Sequence, residues 1–384
     1  MPTTRCVTGH CRAASRPACS LLALRITLGC ALALLSWTLS AQPSRIDPGL
    51  RQLLTKSLSL TAADLDRAER GDPVAVAFDS ESQKAIGIVG LVWVEGSHTQ
   101  FLDDQRTMSE HAGTKAMPEA GIFGAPPSLA DLRGLHLDPS DLESLSACRT
   151  GACGVKLFRE DERGVAGIDE SGQRDGKRIV AAYHGALLRA VSAYKSRGNR
   201  ALGDYVDKAE TVNAAAEFDA LLAETPFLKS AVPQLEKYLR QYPAAKPHQS
   251  EDIFYWSKIA FGLKPTVRVN HMTLYANPGN PQMPWVVASK QIYAAHYLQA
   301  ALELRFVIVP EAGKAKRGFY LLTVSQSRND GMEGFWRGIV RAIVRSRARD
   351  GVQRYLAFAQ HRFGGKALLE AHNAQPGPKP TEGQ

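Results

Sequence analysis

Past its first forty-one residues this chain is nearly free of cysteine. Six cysteines are present, but Cys6, Cys11, Cys19 and Cys30 lie near the N-terminus and leave only Cys148 and Cys153. No second Cys or His pair stands at the spacing a zinc site needs, so no metal is expected. G-x-S-x-G, H-E-x-x-H, a phosphate loop and G-x-G-x-x-G are all missing. Their absence removes the signatures of α/β-hydrolases, zincins, P-loop enzymes and dinucleotide-binding proteins, and no cofactor is implied. No internal repeat is visible. Acidic residues are absent before Asp47, and no apolar run approaches the roughly 20 residues that span a bilayer.

What the N-terminus does have is Arg5, Arg12, Arg16 and Arg25, then an uncharged apolar run over 26–39, then Ser40 and Ala41. A basic segment, a short apolar core and a small-residue exit predict a secretory signal over 1–41 and a periplasmic or secreted protein. The formal charge is +9, and it falls to +5 once those four arginines leave. So mild a surplus gives no argument for nucleic acid. The remainder, 42–364, predicts one α+β domain. The Pro- and Gly-rich end, 365–384, predicts a disordered tail.

Residues 48–70 read as helical, with Thr61 and Asp64 in the spacing of a capping box. Val74–Phe78 and Ile86–Val94 read as strands, and 96–135 as irregular. Val155–Phe158 is a short strand candidate. A helical block spans 174–241, its clearest member running from Lys177 to Arg197 and stopping at Gly198. Thr266–Tyr275 alternates, with Val267, Val269, His271, Thr273 and Tyr275 on one face and Arg268, Asn270, Met272 and Leu274 on the other. Arg317–Gln326 is a further strand. Trp285–Val309 is ambiguous: Ala288, Ile292, Ala295, Gln299 and Leu302 align on a helix, whereas both ends are rich in strand formers. Met332–Val344 predicts an amphipathic helix with Phe335, Trp336, Ile339, Val340, Ile343 and Val344 on one face. A second helix over 352–363 follows a break at Asp350-Gly351.

Cys148 and Cys153 enclose four residues, one of them Gly151. In an exported chain the pair reads as a structural disulfide worth about 2 kcal/mol. Redox chemistry is the alternative, although thioredoxin-type sites use two intervening residues, and Gly154 stands where haem attachment needs histidine. Ser192 and Lys195 fit S-x-x-K, with loose partners at Tyr275–Asn277 and Lys316–Gly318. A serine–lysine acyltransferase would use them, but its nucleophile should open a helix rather than end one. Arg337, Arg341, Arg345 and Arg349 recur every fourth residue. Such a stripe is either a solvated face whose stems cover the core edge or a membrane-surface contact worth about 1 kcal/mol per charge. His271, Tyr275, Lys290, Tyr293, His296 and Tyr297 form a polar, aromatic group of the kind that lines a ligand cavity. Singly, each is an ordinary hydrogen-bonded residue. His271, with an unperturbed pKa near 6.5, is also the candidate general base of a hydrolase.

Three phrases occur together: Cys148-Arg-Thr-Gly-Ala-Cys153 with Lys156-Leu157; Tyr255-Trp-Ser-Lys258 with Phe261-Gly-Leu-Lys-Pro265; and Ser289-Lys-Gln-Ile-Tyr293-Ala-Ala-His296-Tyr297. They resemble a family of exported bacterial proteins without established activity. The likeness covers most of the chain past the signal and implies export but no mechanism. The element order also resembles the START-like, or helix-grip, architecture, in which a curved antiparallel sheet wraps a long C-terminal helix around an apolar cavity. In that comparison 174–241 is an insertion. The resulting expectation is an exported binding protein rather than an enzyme. It would hold an apolar or amphipathic small molecule, such as a lipid, between sheet and C-terminal helix. Lys290, Tyr293, His296 and His271 would supply its polar contacts. The alternatives are a secreted serine–lysine or histidine-dependent hydrolase and an envelope-associated structural protein.

Overall fold

The computed structural model describes residues 46–78, 80, 82–108, 114–149, 151–170, 176–208, 210–260, 263–310, 318–330 and 337–364. The predicted signal and the predicted tail lie outside the described residues. The predicted helix over 48–70 is two helices, α1 (Pro48–Leu58) and α2 (Ala62–Glu69). Asp47 caps the first by accepting the Gly49 and Leu50 amides at 2.8 and 3.3 Å. Ser59, at φ 58°, ends it. The capping box forms: Thr61 Oγ1 accepts the Asp64 amide and Asp64 Oδ2 accepts the Thr61 amide, both at 3.1 Å. Then come β1 (Val74–Phe78), β2 (Ala85–Val94), α3 (His98–Thr107) and β3 (Glu119–Ile122); the last two fall in the stretch expected to be irregular.

The helical block begins earlier than expected, with α4 (Pro139–Ser146) and α5 (Arg159–Glu170). It continues through α6 (Gly176–Arg197), the small ladder of β4 (Asp204–Tyr205) and β5 (Val212–Asn213), and α7 (Ala214–Ala223), α8 (Pro226–Ala231) and α9 (Pro233–Gln241). Gly198 stops α6 at φ +63°, and a Cβ there would stand 1.8 Å from the Tyr242 carbonyl oxygen. Only glycine satisfies both demands.

Five long strands follow: β6 (Ser250–Ile259), β7 (Thr266–Ala276), β8 (Trp285–Ala294), β9 (Leu298–Ile308) and β10 (Phe319–Asn329). They form an antiparallel meander, and β10 then pairs back onto β2. The eight-stranded order is β1-β2-β10-β9-β8-β7-β6-β3. The ambiguous segment 285–309 is therefore neither one helix nor one strand. It is a hairpin whose turn uses Tyr297 at φ 59° and a 2.6 Å bond from the Leu298 amide to the His296 carbonyl. Both strands are central, so residues on both faces are buried and the two-residue alternation that marks a strand is erased. Val155–Phe158 is not a strand. It runs as an irregular segment whose Lys156 amide donates to the Ala295 carbonyl at 2.9 Å, with one isolated bridge from Phe158 to Tyr205.

The chain ends in α10 (Arg337–Phe363), which runs through Asp350-Gly351 without the expected break. Its packing also differs from expectation. Ile339 is 55% exposed and Ile343 46%, while Phe335 and Trp336 lie outside the described residues. Of the expected face Val344 does dock, packing with Ala348 against Ile86 and Ile88 of β2, and the contact then continues through Val352, Leu356, Ala359 and Phe363, at helical spacing. It lands on β2, where a Cβ on Gly90 would come within 2.7 Å of both Val352 and Leu356. That glycine lets the helix approach.

An α+β fold with a large antiparallel sheet and a long C-terminal helix is thus what the chain forms. One sheet face, with Leu91, Leu302, Leu304, Phe306, Leu322 and Trp256, packs against helices α1, α2 and α4–α9. The opposite face, with Val92, Tyr255, Met272, Leu274, Val287, Val307 and Leu321, meets α3 and α10.

Candidate functional site

The alternation of β7 decides where the expected binding residues go. His271 and Tyr275 share the face of Val267 and Val269, which belongs to the core under the helical layer. Lys290 is the cross-strand partner of His271 and shares that face, as does Tyr293, which pairs with Val269. These four therefore point away from α10. They do not line a space between the sheet and the C-terminal helix, and that expectation is corrected.

His271 is fully buried. Its Nε2 lies 2.8 Å from Asp252 Oδ1, and its Nδ1 lies 3.2 Å from the Tyr194 hydroxyl. Phe254 stacks on the imidazole with centroids 4.7 Å apart, and Tyr242 lies at 4.5 Å. Burial lowers the imidazole pKa and outweighs the opposing pull of Asp252. Burial would raise the Asp252 carboxyl, but His271, Lys246 and Tyr238 together hold it below the usual carboxylate range. Asp252 is therefore an acceptor only, and the neutral imidazole donates from Nε2. Its Nδ1 is left to accept from Tyr194. The Tyr194–His271–Asp252 line has the order of a hydroxyl–imidazole–carboxylate relay. The hydroxyl that would react is on a tyrosine that is fully buried, and burial lifts its pKa well above the ordinary value. A sealed relay of this kind orders a core.

Lys290 is equally enclosed. Its Nζ donates to Asn199 Oδ1 and stands 3.7 Å from the Phe218 ring centroid. Burial drives its pKa well down, and Asp219 offsets this only partly. The Tyr293 hydroxyl donates to the Lys156 carbonyl at 2.5 Å. His296 and Tyr297 sit at the β8–β9 turn. His296 Nε2 lies 3.0 Å from Asp141 Oδ1, and the Tyr297 hydroxyl accepts the Lys264 amide at 3.2 Å. The Tyr275 hydroxyl donates to Gln234 at 3.0 Å. Each of the six expected residues thus has a protein partner.

Ser192 is exposed near the end of α6, and the Lys195 ammonium lies 4.9 Å from the Phe254 ring centroid. That is not the enclosed pair at a helix start which serine–lysine chemistry requires. The arginine stripe is partly spent on the fold. Arg341 donates to the Gln83 carbonyl at 2.5 Å, Arg345 to the Ala77 carbonyl at 3.1 Å, and Arg349 pairs with Asp350 at 3.0 Å. The Arg337 side chain lies outside the described set. The Cys148 and Cys153 sulfurs stand at bonding distance, with Gly151 at φ +77° in the turn between them.

A second polar cluster lies on the opposite face of the sheet. Arg268 Nη1 donates to Glu303 Oε1 at 2.8 Å, and Arg305 Nη2 donates to Glu303 Oε2 at 2.9 Å. Burial would raise the Glu303 carboxyl, but the two guanidiniums outweigh it and hold the group below its ordinary value. The Tyr255 and Ser289 hydroxyls bond each other at 2.7 Å. Arg305 lies 5.3 Å from the ring centroid of Tyr355 on α10. Asn270, between Tyr255 on β6 and Gln291 on β8, is fully buried.

This cluster differs from the first in one respect. Arg268 is 6% exposed, yet among the described residues its Nε and Nη2 have no hydrogen-bond partner, and neither do Nδ2 and Oδ1 of Asn270. Such groups carry a desolvation cost of about 1–3 kcal/mol each when left unpaired. The same strands turn apolar further along: Met272 and Leu274 on β7, Val287 on β8, Val307 on β9 and Leu321 on β10. The α10 side of the sheet is thus amphipathic along its strands. The alternation of Arg268 and Asn270 with Val267 and Val269 was visible in the sequence. The partners Glu303 and Arg305 were not, because they belong to the segment whose structure local propensity left open. No protein-family model matches the chain, and neither does any curated protein, so a functional reading rests on these residues themselves.

Proposed function

We propose that the protein is an exported carrier or sensor that binds a small amphipathic molecule against the α10 side of its sheet. The observation behind this reading is the unpartnered polar hardware of Arg268 and Asn270, set beside the buried apolar layer that the same strands share with α3 and α10. Small-molecule sites combine apolar walls with a few convergent polar groups, and this face has that composition. The polar contacts move from Lys290, Tyr293, His296 and His271 to Arg268 and Asn270. The space between sheet and C-terminal helix remains the proposed location, and the Arg305–Tyr355 contact ties α10 to its polar end. Export is supported by the basic and apolar N-terminal pattern and by the bonded cysteine pair, since such bonds persist in oxidising compartments. Among the described residues no helix is long and apolar enough to cross a membrane.

The test is native mass spectrometry of the purified protein, followed by solvent extraction. A small molecule that co-purifies, or that binds on screening an amphiphile panel, supports the reading. Protein that carries nothing and binds none of the panel refutes it.

A further inference from the structure

We infer that the polar end of this face recognises a carboxylate, with Arg268 as the receiving residue and Asn270 as its neighbour. The inference rests on the binding reading above and names the class of ligand head. Three features carry it.

The first is charge. Arg268, Glu303 and Arg305 place two guanidiniums around one carboxylate, so the triad itself holds one surplus positive charge. Asp104 of α3 is buried and acts on Tyr355, the ring beside Arg305, so the charge an incoming anion would meet is that of the Arg268 guanidinium. The second is the edge of the guanidinium that remains. Glu303 occupies Nη1, while the unpartnered atoms are Nε and Nη2. Those two nitrogens form the side edge of the guanidinium, whose parallel N–H bonds fit both oxygens of a planar carboxylate. The third is Asn270. Two residues along the same strand face, its free Nδ2 is a further donor for an anionic head. Its free Oδ1 asks for a donor, such as a hydroxyl on the carbon next to the carboxylate. Beyond Asn270 the strand continues into Met272 and Leu274, which are buried in the core shared with α3 and α10, so an alkyl chain running that way would have to part this packing.

Calorimetric titration of the purified protein at neutral pH with octanoate, 2-hydroxyoctanoate and octanol tests this. Octanoate is expected to bind at least tenfold more tightly than octanol, and 2-hydroxyoctanoate more tightly again. Arg268→Lys keeps the charge but loses the side edge, and Asn270→Asp sets a negative charge beside the head. Each should weaken octanoate by roughly ten- to a hundredfold, while octanol changes little. Arg268→Gln should do the same, and if it fails to fold by circular dichroism the other two variants decide. Equal binding of octanoate and octanol overturns the carboxylate assignment but leaves the binding reading standing. Failure of every amphiphile to bind removes both. A crystal soaked in octanoate that shows only ordered water on Arg268 Nε and Nη2 also overturns the assignment.

Discussion

Lys290 offers the sharpest test of the packing under the helical layer. It is fully buried, its nearest polar partner is an amide oxygen rather than a carboxylate, and burial depresses its pKa well below 10.5. In the unfolded chain the amine titrates near 10.4. Between the native and unfolded values the unfolded state therefore binds the extra proton. Stability must rise with pH across that window, by up to ~1.4 kcal/mol per pH unit. Lys290→Met has similar length and no proton to lose, so it should abolish this component. Urea unfolding of both proteins at pH 7, 8 and 9 measures it. The stability difference, wild type minus variant, should climb steadily toward alkaline pH, and the variant should be no less stable at pH 7. Losing the bond to Asn199 works against the variant by about 1 kcal/mol. That loss is independent of pH and leaves the slope intact. Staying below pH 9.5 keeps the buried tyrosines, whose pKa values are raised by burial, out of the titration. Parallel stability curves for the two proteins would show that Lys290 is charged in the fold and refute the reasoning.

Asp252→Asn should destabilise by about 1.5–3 kcal/mol at pH 7. It should also flatten the acid limb, because the depressed carboxylate contributes stability above about pH 4 that is lost as pH falls toward its native value; acid-unfolding curves followed by far-UV circular dichroism check both. Leu356→Ala removes a fully buried side chain from the α10 contact and should cost about 2–5 kcal/mol. Ile343→Ala, on the exposed part of the same helix, should stay within about 0.5 kcal/mol, and guanidinium unfolding separates the two. Gly198→Ala should give little soluble protein, since its Cβ would overlap the Tyr242 carbonyl; expression and melting temperature against wild type show it.

Legibility in the sequence followed how local the deciding physics was. The capping box at Thr61, the stop at Gly198 and strands β2, β7 and β10 depend on a few adjacent residues and were readable from them. The hairpin over 285–309 was not, because both its strands are covered on both faces and their composition carries no period. β6 was also missed. Its inward positions include Asp252 and Lys258, whose polarity hides a strand until His271 and Asp138 are seen to pair with them. The α10 helix was read as two helices with the docking face assigned to the more apolar first, yet the half that carries most of the contact has Arg354 and Gln360 between its contact residues. Propensity cannot tell which stretch of an amphipathic helix meets a sheet. The candidate site suffered most, since assigning a residue to a sheet face needs only the alternation of its strand, whereas knowing what each face meets needs the whole topology.

That topology also supplies a criterion for separating architecture from recognition. Both sheet faces bury charged and polar side chains, so burial alone does not distinguish them. Under the helical layer, His271 has Asp252 and Tyr194, Lys290 has Asn199, His296 has Asp141, and Tyr293 has the Lys156 carbonyl. Groups matched in this way fix one arrangement of helices on the sheet, and a ligand would have to displace a bond already made. On the α10 side, among the described residues, Arg268 has one nitrogen matched and two unmatched, and Asn270 has neither atom matched. An incoming polar group that reached them would find donors and an acceptor not already bonded to the fold. Since a hydrogen bond adds little net free energy unless the alternative is an unpaired buried group, affinity and specificity concentrate where the fold has left partners missing. By that measure His271 and the tyrosines of β7 and β8 are already matched within the fold, and the plainer Arg268 and Asn270 of the same sheet are where the proposed ligand contact rests.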